Sequence, residues 1–217
     1  MNSCFIVGGS DINNPEELAA VTAKRPFAIY CDSGLRHQKK LNYPADLIIG
    51  DFDSYTIPEG NVEIIKLPRE KDDTDTMFAI KEGIRRGFRD FILVGVTGAR
   101  MDHTLVNIYA LKYLKQHECR GRIIDDYSEM ELVGNEPVLI EESYPYFSLI
   151  AMDGDVEGVT IENAKYQLTD AIIHSAYQYA TSNEVLPGKK AKVSVSCGEL
   201  LLIKIRHDRK KEIDELP

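Results

Sequence analysis

The first half of this chain alternates short apolar runs with helical patterns, and each run stops at glycine, aspartate or a small polar turn. Cys4 to Val7 ends in Gly8-Gly9, Phe27 to Tyr30 in Cys31-Asp32-Ser33-Gly34, and Leu47 to Ile49 in Gly50-Asp51. Val62 to Ile65 leads through Leu67-Pro68 into an acidic cluster, and Phe91 to Val96 ends in Thr97-Gly98. Helical patterns fill the intervals at Pro15 to Thr22, Leu35 to Leu41, Thr74 to Arg86 and Asp102 to Gln116. Continuous apolar strands separated by amphipathic helices are the mark of a mostly parallel sheet covered on both faces. Such a sheet collects its chemistry at the carboxyl ends of the strands.

After about Ile124 the texture changes. Glu131 to Val133, Val138 to Ile140, Tyr146 to Met152, Val156 to Ile161, Val193 to Ser196 and Leu200 to Ile205 read as strands divided by Gly, Asn, Asp and Pro. Val193 and Val195, then Leu201, Ile203 and Ile205, alternate as in a sheet buried on one side. The expectation is an α/β domain over residues 1–126 followed by an all-β sandwich over 127–217.

The strand ends carry an unusual density of carboxylates. Gly50-Asp51-Phe52-Asp53-Ser54 follows one run and Lys71-Asp72-Asp73-Thr74-Asp75 another. If the first stretch is extended, Asp51 and Asp53 point the same way and Phe52 points to the core. Such carboxylates repel unless a cation compensates, and a hard oxygen-rich site suits Mg²⁺ together with substrate phosphates. Turn chemistry explains part of the pattern, because Asp73 or Thr74 is a normal N-cap and acids favour a helix start. Gly8-Gly9-Ser10 can offer backbone N–H groups to phosphate, although two-glycine turns are common. In Thr97-Gly98-Ala99-Arg100-Met101-Asp102-His103, the small turn permits close approach and Arg100 can grip phosphate oxygens. The plain alternative there is a strand-to-helix turn capped by Asp102, with His103 a solvated first-turn residue.

Composition removes several classes. A formal charge of −9 over 217 residues argues against a nucleic-acid backbone as partner. No run approaches a membrane span, and no signal peptide is recognised at the N-terminus. Cys4, Cys31, Cys119 and Cys197 form no CxxC pair and read as reduced thiols of a cytoplasmic protein.

Taken in order, CDSG, GDFDS, KDDTD, GVTGARMDHT, GVTIENAKYQL, TSNE and VSVSCGELLLI resemble the thiamine pyrophosphokinase family over nearly the whole chain. The resemblance implies a homodimer that transfers pyrophosphate from ATP to thiamine and releases AMP, with an ATP- and Mg²⁺-binding catalytic domain and a thiamine-binding, dimerising sandwich. It places Asp51, Asp53 and Asp75 at Mg²⁺, and Asp32, Lys71, Asp72, Thr97, Gly98 and Arg100 around the nucleotide. Asp102 falls between nucleotide and thiamine, and Ser182 and Asn183 at the thiamine pocket. Catalysis would rest on Asp51, Asp53, Asp75 and Asp102, with either Asp75 or Asp102 accepting the alcohol proton. Ser33 stands where a second glycine is common, Ala99 where glycine is usual, and the chain has no tryptophan for the thiamine ring. Two other readings use the same residues: a metal-dependent phosphohydrolase with water as nucleophile, and a non-catalytic nucleotide or thiamine sensor.

Overall fold

Five of the apolar runs form strands β1 (Ser3–Val7), β2 (Phe27–Cys31), β3 (Leu47–Gly50), β4 (Glu63–Lys66) and β5 (Asp90–Val94), and a sixth strand follows, β6 (Arg120–Ile124). The computed structural model describes residues 3–52, 61–70 and 72–206. The chain divides into two units, Met1–Asp126 and Tyr127–Pro217.

In the first unit all pairings are parallel, in the order β4-β3-β2-β1-β5-β6. The chain therefore runs outward from β1 to β4, then returns to the other side of β1 for β5. The reversal point lies between β1 and β5, and at such a point the loops diverge and leave a crevice beyond the strand ends. β1, β2, β3 and β5 are buried along most of their length. One face of the sheet supplies Phe5, Val7, Ala28, Tyr30, Ile48 and Val94 to a core with Leu18 and Leu35. The other carries α3 (Asp75–Arg85), packed on β1, β2 and β3, and α4 (Met101–Gln116), packed on β6.

Local chemistry sets the helices. Thr74 is extended and its Oγ1 accepts the Met77 N–H at 3.2 Å, so Thr74 rather than Asp73 caps α3. Asp73 instead pairs with Lys81 at 2.6 Å. α4 buries Asn107, Ala110, Leu111 and Leu114, one stripe at helical spacing. The two earlier helical patterns shrink to a 3₁₀ turn and one α turn each. Pro15–Leu18 precedes α1 (Ala19–Thr22), and Asp32–His37 precedes α2 (Gln38–Leu41), which stops at a left-handed Asn42.

The second unit contains β7 (Ser128–Val133), β8 (Val138–Ile140), β9 (Tyr146–Ala151), β10 (Val156–Glu162), β11 (Leu168–Ile173), β12 (Ala191–Ser194) and β13 (Leu200–Ile205). Its pairings are antiparallel, β7-β13-β9 in one group and β11-β10-β12-β8 in the other. Val133, Phe147, Leu149, Leu200 and Leu202 of the first group and Ile140, Val159, Ile161 and Val193 of the second meet in a single buried cluster. The same side of β7 and β13 also buries charge. Lys204 Nζ donates to Glu129 at 2.9 Å and Glu131 at 2.7 Å, beneath the Tyr144 ring. Burial disfavours the ammonium, but the two carboxylates outweigh it and hold the Lys204 pKa above its ordinary value.

Candidate active site

The carboxyl ends of β1, β2 and β5 open onto a cavity of about 370 Å³, at the place where the strand order reverses. Gly8, Gly9 and Ser10 form one wall, Cys31 and Ser33 a second, Thr74, Asp75 and Thr76 at the start of α3 a third. Gly95, Val96, Arg100, His103 and Asn107 close it. A larger cleft of about 1000 Å³ lies at the amino ends of β1 and β2, lined by Ser3, Arg25, Phe27 and Phe88. It contains none of the acidic clusters, so the smaller cavity is the chemical candidate.

The glycine turn after β1 does not act as a backbone cradle. The Gly8 N–H donates to Val94 O and the Ser10 N–H to Gly95 O, both at 2.8 Å, so two of the three N–H groups extend the pairing with β5. The turn contributes shape instead. A Cβ on Gly8 would sit 2.5 Å from Gly95 O, closer than any side chain tolerates.

Asp32 opens the turn after β2, buried and at φ +24. It lies against β3: a Cβ on Gly50 would come 2.8 Å from the Asp32 Cβ and 3.1 Å from its Cα. Asp51 follows Gly50 directly. The extended-strand expectation fails here, because β3 ends at Gly50 and Phe52 adopts φ +58. Phe52 does pack against the core, yet strand alternation does not set the direction of Asp51. A left-handed phenylalanine is costly and collects at sites where the surroundings impose it. Asp53 and Lys71 lie outside the described residues.

Asp75 begins α3 and lines the cavity. Its carboxylate and that of Asp32 both help push the Cys31 thiol far above its ordinary pKa, with burial as the main cause. A thiol raised in this way is a poor metal ligand, so Cys31 serves as a lining group. Asp72 is exposed. Among the described residues no three His, Cys, Asp or Glu side chains gather round one point.

The turn after β5 is held by Thr104, whose hydroxyl accepts the Gly98 N–H at 3.0 Å and donates toward Arg100 O at 3.2 Å. Arg100 occupies the N-cap position without a capping side chain, and Asp102 does not cap either. The two form a bidentate pair, Nε to Oδ1 at 2.9 Å and Nη2 to Oδ2 at 2.6 Å. The guanidinium holds the Asp102 carboxyl far below the usual carboxylate range. His103 is exposed, as expected of a first-turn residue, and forms part of the rim.

The comparisons with known proteins follow the same division of the chain. The thiamin pyrophosphokinase catalytic domain matches residues 18–123, and the thiamin pyrophosphokinase vitamin B1 binding domain matches residues 138–200. The chain belongs to the thiamin pyrophosphokinase family. A thiamine pyrophosphokinase of Bacillus subtilis strain 168 is 26% identical over 212 residues, spanning 94% of this chain and 99% of the relative. A solved thiamine pyrophosphokinase structure from Bacillus subtilis superposes with a TM-score of 0.84 at 23% identity, over 95% of this chain and 100% of that one. The Candida albicans thiamin pyrophosphokinase shares the fold at 14% identity, with a TM-score of 0.77 over 94% of this chain and 89% of that one.

Within the vitamin B1 binding match, Ser182 is exposed at φ +54, with its N–H donated to Ser148 Oγ at 3.0 Å. Asn183, 3% exposed, is committed internally. Its Oδ1 accepts the Tyr166 N–H at 3.0 Å and the Glu184 N–H at 2.9 Å, and its Nδ2 donates to Tyr166 O at 2.7 Å. The amide thus grips the main chain of Tyr166 while that side chain is left 59% exposed. Sequence reasoning passed over Tyr166, although it stands inside the GVTIENAKYQL stretch.

Proposed function

We propose that this protein transfers the pyrophosphoryl group of ATP to the hydroxyethyl oxygen of thiamine, giving thiamine diphosphate and AMP. The observation that carries the reading is the cavity at the strand-order reversal, lined by both Asp75 and Arg100 and by Cys31 and Ser33 on either side of Asp32, in a chain whose two halves match the two domains of this family. Residues 1–126 then form the ATP- and Mg²⁺-binding catalytic domain, and residues 127–217 the thiamine-binding and dimerising domain. We read the latter as a β-sandwich, supported by the single core drawn from both groups of antiparallel strands.

The chemistry of the donors suits Mg²⁺, although the described carboxylates do not themselves converge on one point. Asp32, Asp51 and Asp75 offer hard carboxylate oxygens at the ends of β2 and β3 and the start of α3, and the neighbouring thiol stays protonated. Asp51, Asp53 and Asp75 would hold the ion, which when bound supplies neutralisation of charge on the phosphate oxygens. Asp32 and Asp72 support the nucleotide side. Arg100, its Nε and Nη2 held by Asp102, offers its remaining N–H groups to non-bridging phosphate oxygens, with Lys71, Thr97 and Gly98 beside it. The thiamine oxygen bonds to the β-phosphorus as the bond to the α-phosphate oxygen breaks, and AMP leaves in line. Asp75 receives the alcohol proton on a carboxylate oxygen not taken by the ion, because both oxygens of Asp102 are engaged by Arg100. Asp102 instead positions Arg100 at the boundary between nucleotide and thiamine.

On the vitamin side, the Ser182 hydroxyl and the Tyr166 face contact thiamine, and Asn183 holds both in place. The Tyr166 ring already carries a cation, Lys165 Nζ at 5.6 Å from its centroid, and a thiazolium is attracted to it by the same force, the part a tryptophan would otherwise play. A homodimer through the second domain is supported by Leu139, Ile172, Tyr177 and Tyr179, large apolar side chains that it leaves exposed. The four cysteines, all free thiols, suit a reducing cytoplasm. Among the described residues no helix is long and apolar enough to cross a membrane.

The test is incubation with ATP, Mg²⁺ and thiamine, followed by separation of products. Thiamine-dependent AMP and thiamine diphosphate in equal amounts are expected. ADP with thiamine monophosphate, or nucleotide hydrolysis indifferent to thiamine, would overturn the assignment.

A further inference from the structure

Beyond the residues assigned to substrates, one buried carboxylate at the sheet edge has no part in the mechanism. Asp126 follows β6, is 9% exposed, and takes hydrogen bonds from a loop more than a hundred residues away. The Asn13 N–H reaches Oδ1 at 2.8 Å and Oδ2 at 3.0 Å, the Asn14 N–H reaches Oδ1 at 2.8 Å, and Asn13 Nδ2 reaches Oδ2 at 2.8 Å. Hydrogen bonds to an ionised, buried acceptor are the strong kind, and they fix geometry as well as energy.

The loop so held is the one that walls the cavity. Its first half is stitched to the end of β5 through Gly8 and Ser10. Its middle is gripped by the turn after β2, with His37 Nε2 2.8 Å from Ser10 O and Lys40 Nζ donating to Ile12 O at 2.7 Å. Arg36 Nε also lies 3.2 Å from the same His37 nitrogen. That nitrogen cannot both donate to Ser10 O and accept from Arg36, and the shorter contact to a carbonyl identifies it as a donor. Burial lowers the His37 pKa, which suits a neutral ring in that role. Asp126 holds the last part, residues 13 and 14, from the opposite side of the reversal point, and Asn14 O also accepts the Glu17 N–H at 3.2 Å.

Ser10 passes this restraint on. Its Cβ and Oγ lie 3.1 and 3.2 Å from where a Cβ on Gly98 would stand, so the loop abuts the turn that carries Arg100. The neighbouring Asp125 lies 3.4 Å from the Thr97 hydroxyl on that same turn.

We propose that Asp126 is a positioning residue for the nucleotide: by fixing residues 13 and 14 it sets the loop against which the Arg100 turn rests, and so the place at which Arg100 meets phosphate. The inference rests on the transferase reading, in which Arg100 binds ATP. It differs from simple anchoring of the 3₁₀ turn at Pro15–Leu18, because anchoring alone would lower stability and leave substrate recognition unchanged.

The experiment is a double-mutant cycle between Asp126→Asn and Arg100→Ala, read as KM for ATP and KM for thiamine and, independently, as ATP binding by calorimetry. Asp126→Asn keeps the shape but turns an amide NH₂ toward N–H donors. Its KM for ATP should rise about tenfold, as expected for loss of a charge-assisted hydrogen bond. The thiamine KM should stay within about twofold. In the Arg100→Ala background the same change should leave ATP affinity unaltered. An equal loss with and without Arg100, or an unchanged KM for ATP, would overturn the proposal. Should Asp126→Asn fail to fold, Asn13→Ala removes one of the contacts and should shift ATP affinity in the same direction by a smaller factor; no shift there also overturns it. Absence of thiamine-dependent AMP formation in the unaltered protein would refute the transferase reading by itself, and the calorimetric cycle would still decide whether Asp126 acts through Arg100.

Discussion

Gly50→Ala is the sharpest test of how the acidic site is assembled. The added Cβ would lie 2.8 Å from the Asp32 Cβ, 3.1 Å from its Cα and 3.3 Å from its N. Two of these neighbours are backbone atoms, which cannot rotate out of the way, and the closest is roughly half an ångström short of ordinary contact. Gly50 does not have positive φ, so the methyl adds no dihedral strain and the cost is steric. Overpacking of this kind costs about 1–3 kcal/mol, or about 2–12 °C in Tm for a chain of this size. The functional effect should be larger. Asp32 and Asp51 directly follow the two strands being pushed apart, and a displacement approaching one ångström at a reacting centre costs on the order of 100-fold in rate. The assay pairs thermal unfolding with thiamine-dependent AMP formation at saturating substrates. Gly121→Ala is the control, since its Cβ would meet only the flexible ends of Leu114 and Leu111, at 2.6 and 3.0 Å. It should lose less stability, because those ends can rotate, and keep its turnover. Near-normal turnover in Gly50→Ala, or equal losses in both variants, would refute the claim that the contact of Gly50 with Asp32 sets the site.

Three further outcomes follow from named contacts. Tyr166→Ala should raise the KM for thiamine by about fivefold, on the scale of a lost cation–π contact of about 1 kcal/mol, while the KM for ATP stays fixed; steady-state kinetics with each substrate varied decides it. Lys204→Met leaves Glu129 and Glu131 buried without their shared cation and should cost about 3–5 kcal/mol in urea unfolding. That deficit should shrink as pH falls and the carboxylates protonate. Asp102→Asn should lower turnover by releasing Arg100, not by deleting a base. The Asp102 pKa is depressed when folded, so its charge persists until pH falls well below the ordinary carboxylate value. The acid limb of the pH–kcat profile should therefore keep its position in the variant, and a displaced limb would restore Asp102 as the base.

The parallel sheet was readable because β1, β2, β3 and β5 are nearly unbroken apolar runs, as burial on two faces demands. β6 was not, because Arg120-Gly121-Arg122 leaves only Ile123 and Ile124 as apolar signal. β11 escaped for the opposite reason: it ends a strand group, half of its residues are exposed, and only Ile173 is fully buried. Among site residues, those in local motifs could be found. The Thr74 cap follows from short-range rules, but the bidentate hold of Arg100 on Asp102 depends on rotamers that spacing does not fix. The left-handed backbone at Phe52 has no sequence signal, since nothing in an aromatic residue announces positive φ. Asp126 was invisible because the groups that define it stand 112 and 113 residues away.

The manner in which Asn183 holds Tyr166 separates frame from cargo. Both bonds go to the main-chain N–H and C=O of residue 166 and neither goes to the ring. Any side chain except proline can therefore be seated there without disturbing the mount. Position 166 behaves as an interchangeable fitting, at which the aromatic can be exchanged to favour altered vitamin rings while the scaffold stays as it is.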